Sequence, residues 1–277
     1  MPNQLRHRAG AMTSKVPEVT IFFWVIKIMA TTVGETAADF LNETMKLGLT
    51  TTTIVMTVAL VAALWFQFRA QRYVPALYWL TVVAISIVGT LVTDNLTDRF
   101  GVSLKLSTAV FAVALAVTFA VWQRSEGTLS IHSILSTRRE AFYWLAILFT
   151  FALGTATGDL IAESYSVGYW QSALLFGAAI AVVVAAWRLG ANAILTFWAA
   201  YILTRPLGAS IGDYLSQKPA DGGLGLGTVG TSALFLTTIL LVVLYLTKTK
   251  KDQIVIPAVE AQPPAGRPRT AGDRPVG

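Results

Sequence analysis

One spacing recurs four times along this chain. Counting from Trp24, a glycine stands ten residues on (Gly34), an aspartate fifteen (Asp39) and a glutamate nineteen (Glu43). From Trp79 the same offsets give Gly89, Asp94 and Asp98; from Trp144, Gly154, Asp159 and Glu163; from Trp198, Gly208, Asp213 and Gln217. The residue before each aspartate is small: Ala38, Thr93, Gly158 and Gly212. Agreement at four fixed offsets without a gap means four copies of one structural unit, and any fold assigned to the chain has to be built from that unit.

The unit is too apolar for water. Of 277 residues, 55% are hydrophobic and only 13% charged, against about 25% charged in an ordinary soluble domain. Runs such as 50–68, 102–121 and 225–247 carry at most one charge, and each can cross a hydrocarbon layer ~30 Å thick at ~1.5 Å per residue. The short alternating segments of a β-barrel are absent. Each unit continues from its motif into a second apolar run that closes on an aromatic and a base: WFQFR (65–69), WQR (122–124), WR (187–188) and YLTK (245–248). The expected fold is therefore all-α, a polytopic membrane protein. Its eight transmembrane helices lie near 18–41, 48–68, 76–97, 102–123, 141–163, 169–189, 193–215 and 226–247, arranged as four tandem helical-hairpin repeats. The repeats are 18–73, 74–139, 140–190 and 191–249. An even number of spans per unit gives all four the same orientation, a parallel repeat.

Lysine and arginine set the sidedness. Counted over the short loops and the tail segments next to the spans, twelve fall on the side of the two termini, with pairs such as Arg69 and Arg72 or Arg138 and Arg139, against four (Lys46, Arg99, Lys105, Lys218) at the other side. The positive-inside rule then puts both termini in the cytoplasm. The basic start, residues 1–17, reads as a cytoplasmic tail leading into a retained first helix, because no small-residue cleavage site follows it. Residues 250–277, rich in Pro, Ala, Gly and Arg, read as a disordered cytoplasmic tail. The net charge of +6 is explained by these inner loops, so no nucleic-acid partner is implied. The partners expected are the bilayer and a small cation or solute; nothing in the sequence sets an oligomeric state.

The Trp-Gly-Asp units, GETAAD (34–39) among them, resemble a bacterial membrane family built from four tandem copies of a repeat called domain of unknown function 347. Each copy has two transmembrane segments and a characteristic tryptophan. The resemblance covers residues 20–247, and the fourth copy is the least regular, with Gln217 in place of an acid and Arg205-Pro206 standing before its glycine. It implies this topology and a bacterial inner-membrane home. It implies no activity.

The motif joins two physical features. The small-xxx-small pairs Gly34/Ala38, Gly89/Thr93, Gly154/Gly158 and Gly208/Gly212 let helix backbones approach closely in lipid, which places helices 1, 3, 5 and 7 in the middle and the even ones outside. The acids at i, i+4 share one helix face: Asp39/Glu43, Asp94/Asp98, Asp159/Glu163, and Asp213 with Gln217. Glu35 extends the first stripe a turn inward. Eight carboxylates so placed can border one cleft. A charge at mid-bilayer costs ~2.5–3.5 kcal/mol, so such a cleft calls for protons or a bound cation. Oxygen ligands without Cys or His suit hard ions such as Mg²⁺, Ca²⁺ and Mn²⁺. No cofactor is expected beyond such a divalent cation. The plainer alternative is that the acids end the helices in the headgroup layer and tie each hairpin through loop amides.

Two bases fall inside spans. Lys27, one turn past Trp24, can snorkel to the cytoplasmic interface or act as a counter-charge. Arg205 sits beside Pro206, which disrupts helix 7; any of the acids could be its partner. Trp24, Trp79, Trp144 and Trp198 are expected as interface anchors. Thr31, Thr32, Thr36, Thr90, Thr155 and Thr157 give helices 1, 3 and 5 a polar lining. GGLGLG (222–227) lacks the strand and Lys-Ser/Thr ending of a phosphate loop and reads as a turn.

The chain has no cysteine and two histidines. It offers no Ser-His or Cys-His set, no HExxH and no nucleotide motif, so it is not read as an enzyme. The leading expectation is a transporter or exporter of a small cation, a hard divalent metal such as manganese or a proton-coupled one. The alternatives are a proton-coupled carrier of a small organic solute, with Arg205 or Lys27 as counter-charge, and a non-transporting membrane scaffold.

Overall fold

The computed structural model describes residues 14–165 and 167–253. Most of both expected tails lies outside the described residues. Eight helices span them: α1 Ile21–Asp39, α2 Leu49–Arg69, α3 Pro75–Asp94, α4 Leu104–Glu126, α5 Thr137–Asp159, α6 Tyr169–Arg188, α7 Ala193–Ser216 and α8 Gly227–Thr249. All eight are long and apolar enough to cross a membrane. Local chemistry sets their starts. The side chains of Thr20, Ser103, Ser136 and Asn192 accept the first free N–H groups of α1, α4, α5 and α7, and Pro75 takes the first turn of α3, where no N–H is needed. The glycines of 222–227 make the α7–α8 turn, three of them at positive φ.

Helices α1, α3, α5 and α7 close into a ring, each packed on the next and α7 on α1. Half or more of the apolar length of each is buried, against less than a third for each outer helix, the surface a lipid-facing helix presents. The outer four do not pack where a hairpin would put them. α2 lies on α3, α4 on α5, α6 on α7 and α8 chiefly on α1. Each repeat is thus a hairpin by connection, while its second helix is docked on the first helix of the following repeat.

The glycines explain why the ring closes. A methyl group on Gly34 would strike Ser86, one on Gly89 would strike Phe151, one on Gly154 would strike the stem of Arg205, and one on Gly208 would strike Thr31. The residue received is in every case the one three positions before the neighbouring repeat's own glycine. The same contact is therefore made four times around the ring. Gly158 and Gly212, one turn on, would meet Pro206 and Thr32 only at ordinary contact distances of 3.6 and 3.4 Å, so the tight approach belongs to the first glycine of each pair.

The tryptophans take a different place from the one expected. Trp79, Trp144 and Trp198 are buried, so these three are not lipid-facing interface anchors, while Trp24 is half-buried on the flank. Their rings meet the rings beside them: Trp79 packs edge-on to Tyr78, Trp144 to Tyr143 and Trp198 to Phe197. The physical reason is packing: these rings lie on the inner helices α3, α5 and α7, where the aromatic side chains of neighbouring ring helices meet, as Trp144 does Tyr78 and Trp198 does Tyr143. The exposed rings of Trp65, Trp170 and Trp187 belong to the outer helices.

Candidate functional site

Helices α1, α3 and α5 do not stop at their aspartates. Each runs on through one wider π-helical turn: Phe40–Thr44, Asn95–Arg99 and Leu160–Ser164. α7 continues instead as an ordinary helix to Ser216. All four acid-bearing ends meet at the side away from the termini. They enclose a cavity of about 230 Å³ lined by Glu35, Asp39, Glu43, Asp94, Asp98, Asp159 and Asp213, with Asn42, Thr97, Tyr169 and Gln217 among the other lining residues. The four aspartates are half-buried in its wall, and Glu43 and Asp98 are exposed at its rim. The side chain of Glu163 lies outside the described residues. Among the described residues, no three acids or histidines stand close enough together to hold one metal ion.

The floor is a buried ion pair. Nη2 of Arg205 donates to Oε2 of Glu35 at 2.8 Å and to Oγ1 of Thr155 at 2.7 Å, and also contacts Oγ1 of Thr90. Nη1 donates to the Thr31 carbonyl at 3.3 Å. Arg205 is fully buried and Glu35 nearly so. Burying both charges costs several kcal/mol per ion unless geometry and further hydrogen bonds compensate, and here the threonines and a carbonyl supply those bonds. Among the acids open to it, Arg205 takes Glu35.

Lys27 does not snorkel. It is fully buried, its Nζ 4.3 Å from the ring centroids of both Phe151 and Tyr201. Two aromatic faces attract an ammonium and no hydrogen-bond acceptor reaches it among the described residues. The snorkelling expectation fails because Lys27 lies one turn before Thr31 on the ring-facing side of α1, where its stem points into the bundle. The order along α1 is then Trp24, Lys27, Glu35 and Asp39: aromatic layer, buried amine, ion pair, acid cavity.

The opposite end is knitted shut by residues the sequence did not single out. Nζ of Lys15 lies 2.8 Å from Oε2 of Glu140 and 3.1 Å from the Phe68 carbonyl, and Gln67 donates to the other Glu140 oxygen at 3.2 Å. Tyr73 donates to Asp252 at 2.6 Å, and the Tyr73 N–H reaches the Ser14 carbonyl at 3.3 Å. Glu140 is fully buried. Its signal was an acid directly after two arginines, easily taken for a solvated loop charge. A larger groove of about 850 Å³ opens on the flank between α1, α6 and α7. Its lining is chiefly apolar and it holds none of the acids described above.

Four segments, residues 22–73, 77–128, 142–190 and 196–252, match the family described as Repeat of Unknown Function (DUF347). The chain belongs to this family. The four DUF347 matches coincide with the four helix pairs, and each contains one tryptophan, glycine and aspartate of the recurring spacing. No curated protein and no solved structure matches the chain.

Proposed function

We propose that this DUF347 protein is a membrane transporter or exporter of a small cation, a hard divalent metal such as manganese or an ion moved with protons, and that the acid cavity is where the cation enters or leaves. The observation that carries this reading is convergence: an aspartate from every repeat lines one cavity open at one end of the helix ring. Seven carboxylates facing one guanidinium leave negative charge that protons or cations have to balance. An all-oxygen lining suits hard ions. Of the lysines and arginines in the short loops and the tail segments next to the spans, twelve gather at the end that carries both termini, which supports a cytoplasmic position for that end and, with the family resemblance, the inner membrane of a bacterium.

A second reading has an observation of its own. Arg205 and Lys27 are both buried below the cavity, and together they offer positive charge to an anionic group of a small organic solute, with the acids carrying protons.

The test is whole-cell metal content by mass spectrometry over Mn, Mg, Ca, Fe, Co, Ni and Zn. Cells carry empty vector, the native chain, or the chain with Asp39, Asp94, Asp159 and Asp213 all changed to Asn, matched for membrane level. A change in one metal that the quadruple variant loses supports the metal reading and names the ion. An unchanged panel sinks it and moves the weight to the solute carrier or to a scaffold without transport.

A further inference from the structure

One nitrogen of Arg205 faces more oxygens than its hydrogens can serve. Nη2 contacts Glu35, Thr90 and Thr155, yet a guanidinium –NH₂ carries two hydrogens. The threonines do not make up the difference by donating to it. The Thr155 hydroxyl donates to the Phe151 carbonyl at 3.2 Å, and that of Thr90 is directed to the Ser86 carbonyl at 3.3 Å or Glu35 at 3.4 Å. Both therefore turn lone pairs toward Nη2. Meanwhile Nε of Arg205 is buried and has no acceptor among the described residues. Arginine is normally placed for its fork of directed N–H groups; here Nη2 and Nη1 both find oxygens while Nε does not, and the Nη2 corner sits in a knot of three oxygens that only its positive charge can satisfy together.

Register shows where the knot comes from. Glu35, Thr90 and Thr155 each follow the glycine of their repeat by one residue, and the fourth such residue is Ala209. Equivalent positions of three repeats supply an oxygen to one point inside the ring. The repeat that supplies none supplies the arginine.

We propose that this oxygen cage is a monovalent-cation site and that Arg205 is its tethered occupant in this conformation. One carboxylate, two hydroxyls and the Thr31 carbonyl give the cage a single negative charge, which one positive charge neutralises. A divalent ion would leave an excess positive charge near the buried Lys27. The cage lies at the floor of the acid cavity, so a cation arriving there can exchange with the guanidinium on Glu35. The exchange rests on the transport reading; the existence of the site does not, and its test needs no transport.

The experiment compares thermal unfolding of purified native protein, R205A, R205K and R205A/E35Q in detergent. The medium is N-methyl-D-glucamine chloride or sodium chloride at equal ionic strength. Sodium is expected to raise the R205A midpoint saturably, by about 2–4 °C at tenfold excess over its dissociation constant. The native protein and R205K, which keep a tethered cation, are expected not to respond, and E35Q is expected to remove the response of R205A. Equal sodium response in R205A and the native protein overturns the proposal, as does a response that survives E35Q. If R205A does not fold, R205Q, which keeps the stem packed on Gly154, takes its place in the same comparison. A sodium response confined to R205A, found beside a native protein that carries no cation in vesicles, keeps the site and sinks the transport reading.

Discussion

Gly208 receives the side chain of Thr31, and that contact packs the fourth repeat onto the first. It is the same contact that Gly34 makes with Ser86 and Gly89 with Phe151, so the ring is fastened by one device used four times. Because the neighbour at Gly208 is a β-branched side chain on a helix, it has little room to give.

Alanine at Gly34, Gly89 or Gly208 is therefore expected to lower stability by about 1–3 kcal/mol, the usual cost of overpacking. Gly177, on the outer helix α6, has open space around it, and alanine there is expected to be neutral or to stabilise by ~0.5–1 kcal/mol through helix propensity. Unfolding midpoints in one detergent compare the four. Equal effects at Gly177 and Gly208 would deny the glycines their role at the ring contacts.

Glu35→Gln leaves the Arg205 guanidinium buried without its carboxylate, which is expected to cost about 3–5 kcal/mol. Removing both charges, as in E35Q/R205M, is expected to recover most of that loss. The double-variant comparison in unfolding experiments measures the coupling directly. Additive losses would mean that the pair does not hold the floor of the cavity together.

The acids should divide by position. Asp→Asn at Asp39, Asp94 or Asp213 is expected to reduce cation movement at least tenfold. Glu43→Gln and Asp98→Asn, at the exposed rim, are expected to reduce it severalfold and mainly at low ionic strength, where rim charge steers an approaching ion. Initial rates in vesicles at two salt concentrations check this. A uniform, salt-independent loss across all five would argue against an ion collected from the rim. If instead Arg205→Lys abolishes movement of an organic solute while metals have no effect, the solute reading stands.

The end near the termini is expected to open only when Lys15 leaves Glu140. The chain contains no cysteine, so K15C/E140C can be joined cleanly by a short methanethiosulfonate cross-linker and released by reductant. Cross-linked protein in vesicles is expected to lose nearly all transport and regain it on reduction. Undiminished transport with the link complete would show that this end opens elsewhere.

Much of this was legible in the sequence because it follows from spacing. Helix count, parallel repeats and an inner ring of odd helices all come from one offset pattern and its small residues. The shared acid cavity follows too, since acids at a fixed offset past the packed glycines, on helices of one orientation, gather at one end. What the spacing does not carry is partnership. It could not say that Arg205 takes Glu35, because that choice depends on three other repeats delivering threonines and a carbonyl to the same point. It misjudged Lys27 and the tryptophans because distance from a helix end says how deep a side chain lies but not which way it faces. Glu140 was hidden by its arginine neighbours, and its burial rests on contacts with Lys15 and Gln67 far away in sequence.

The outer helix of each repeat docks on the inner helix of the next, and α8 docks on α1. A ring of this kind has no complete part. α1 is made before the other seven helices, yet two of the helices it packs against, α7 and α8, are made after the other six. Until they arrive its flank, with Thr31 and Glu35 on it, must wait in the membrane without them. The ring is therefore closed on the helix that has waited longest among the eight.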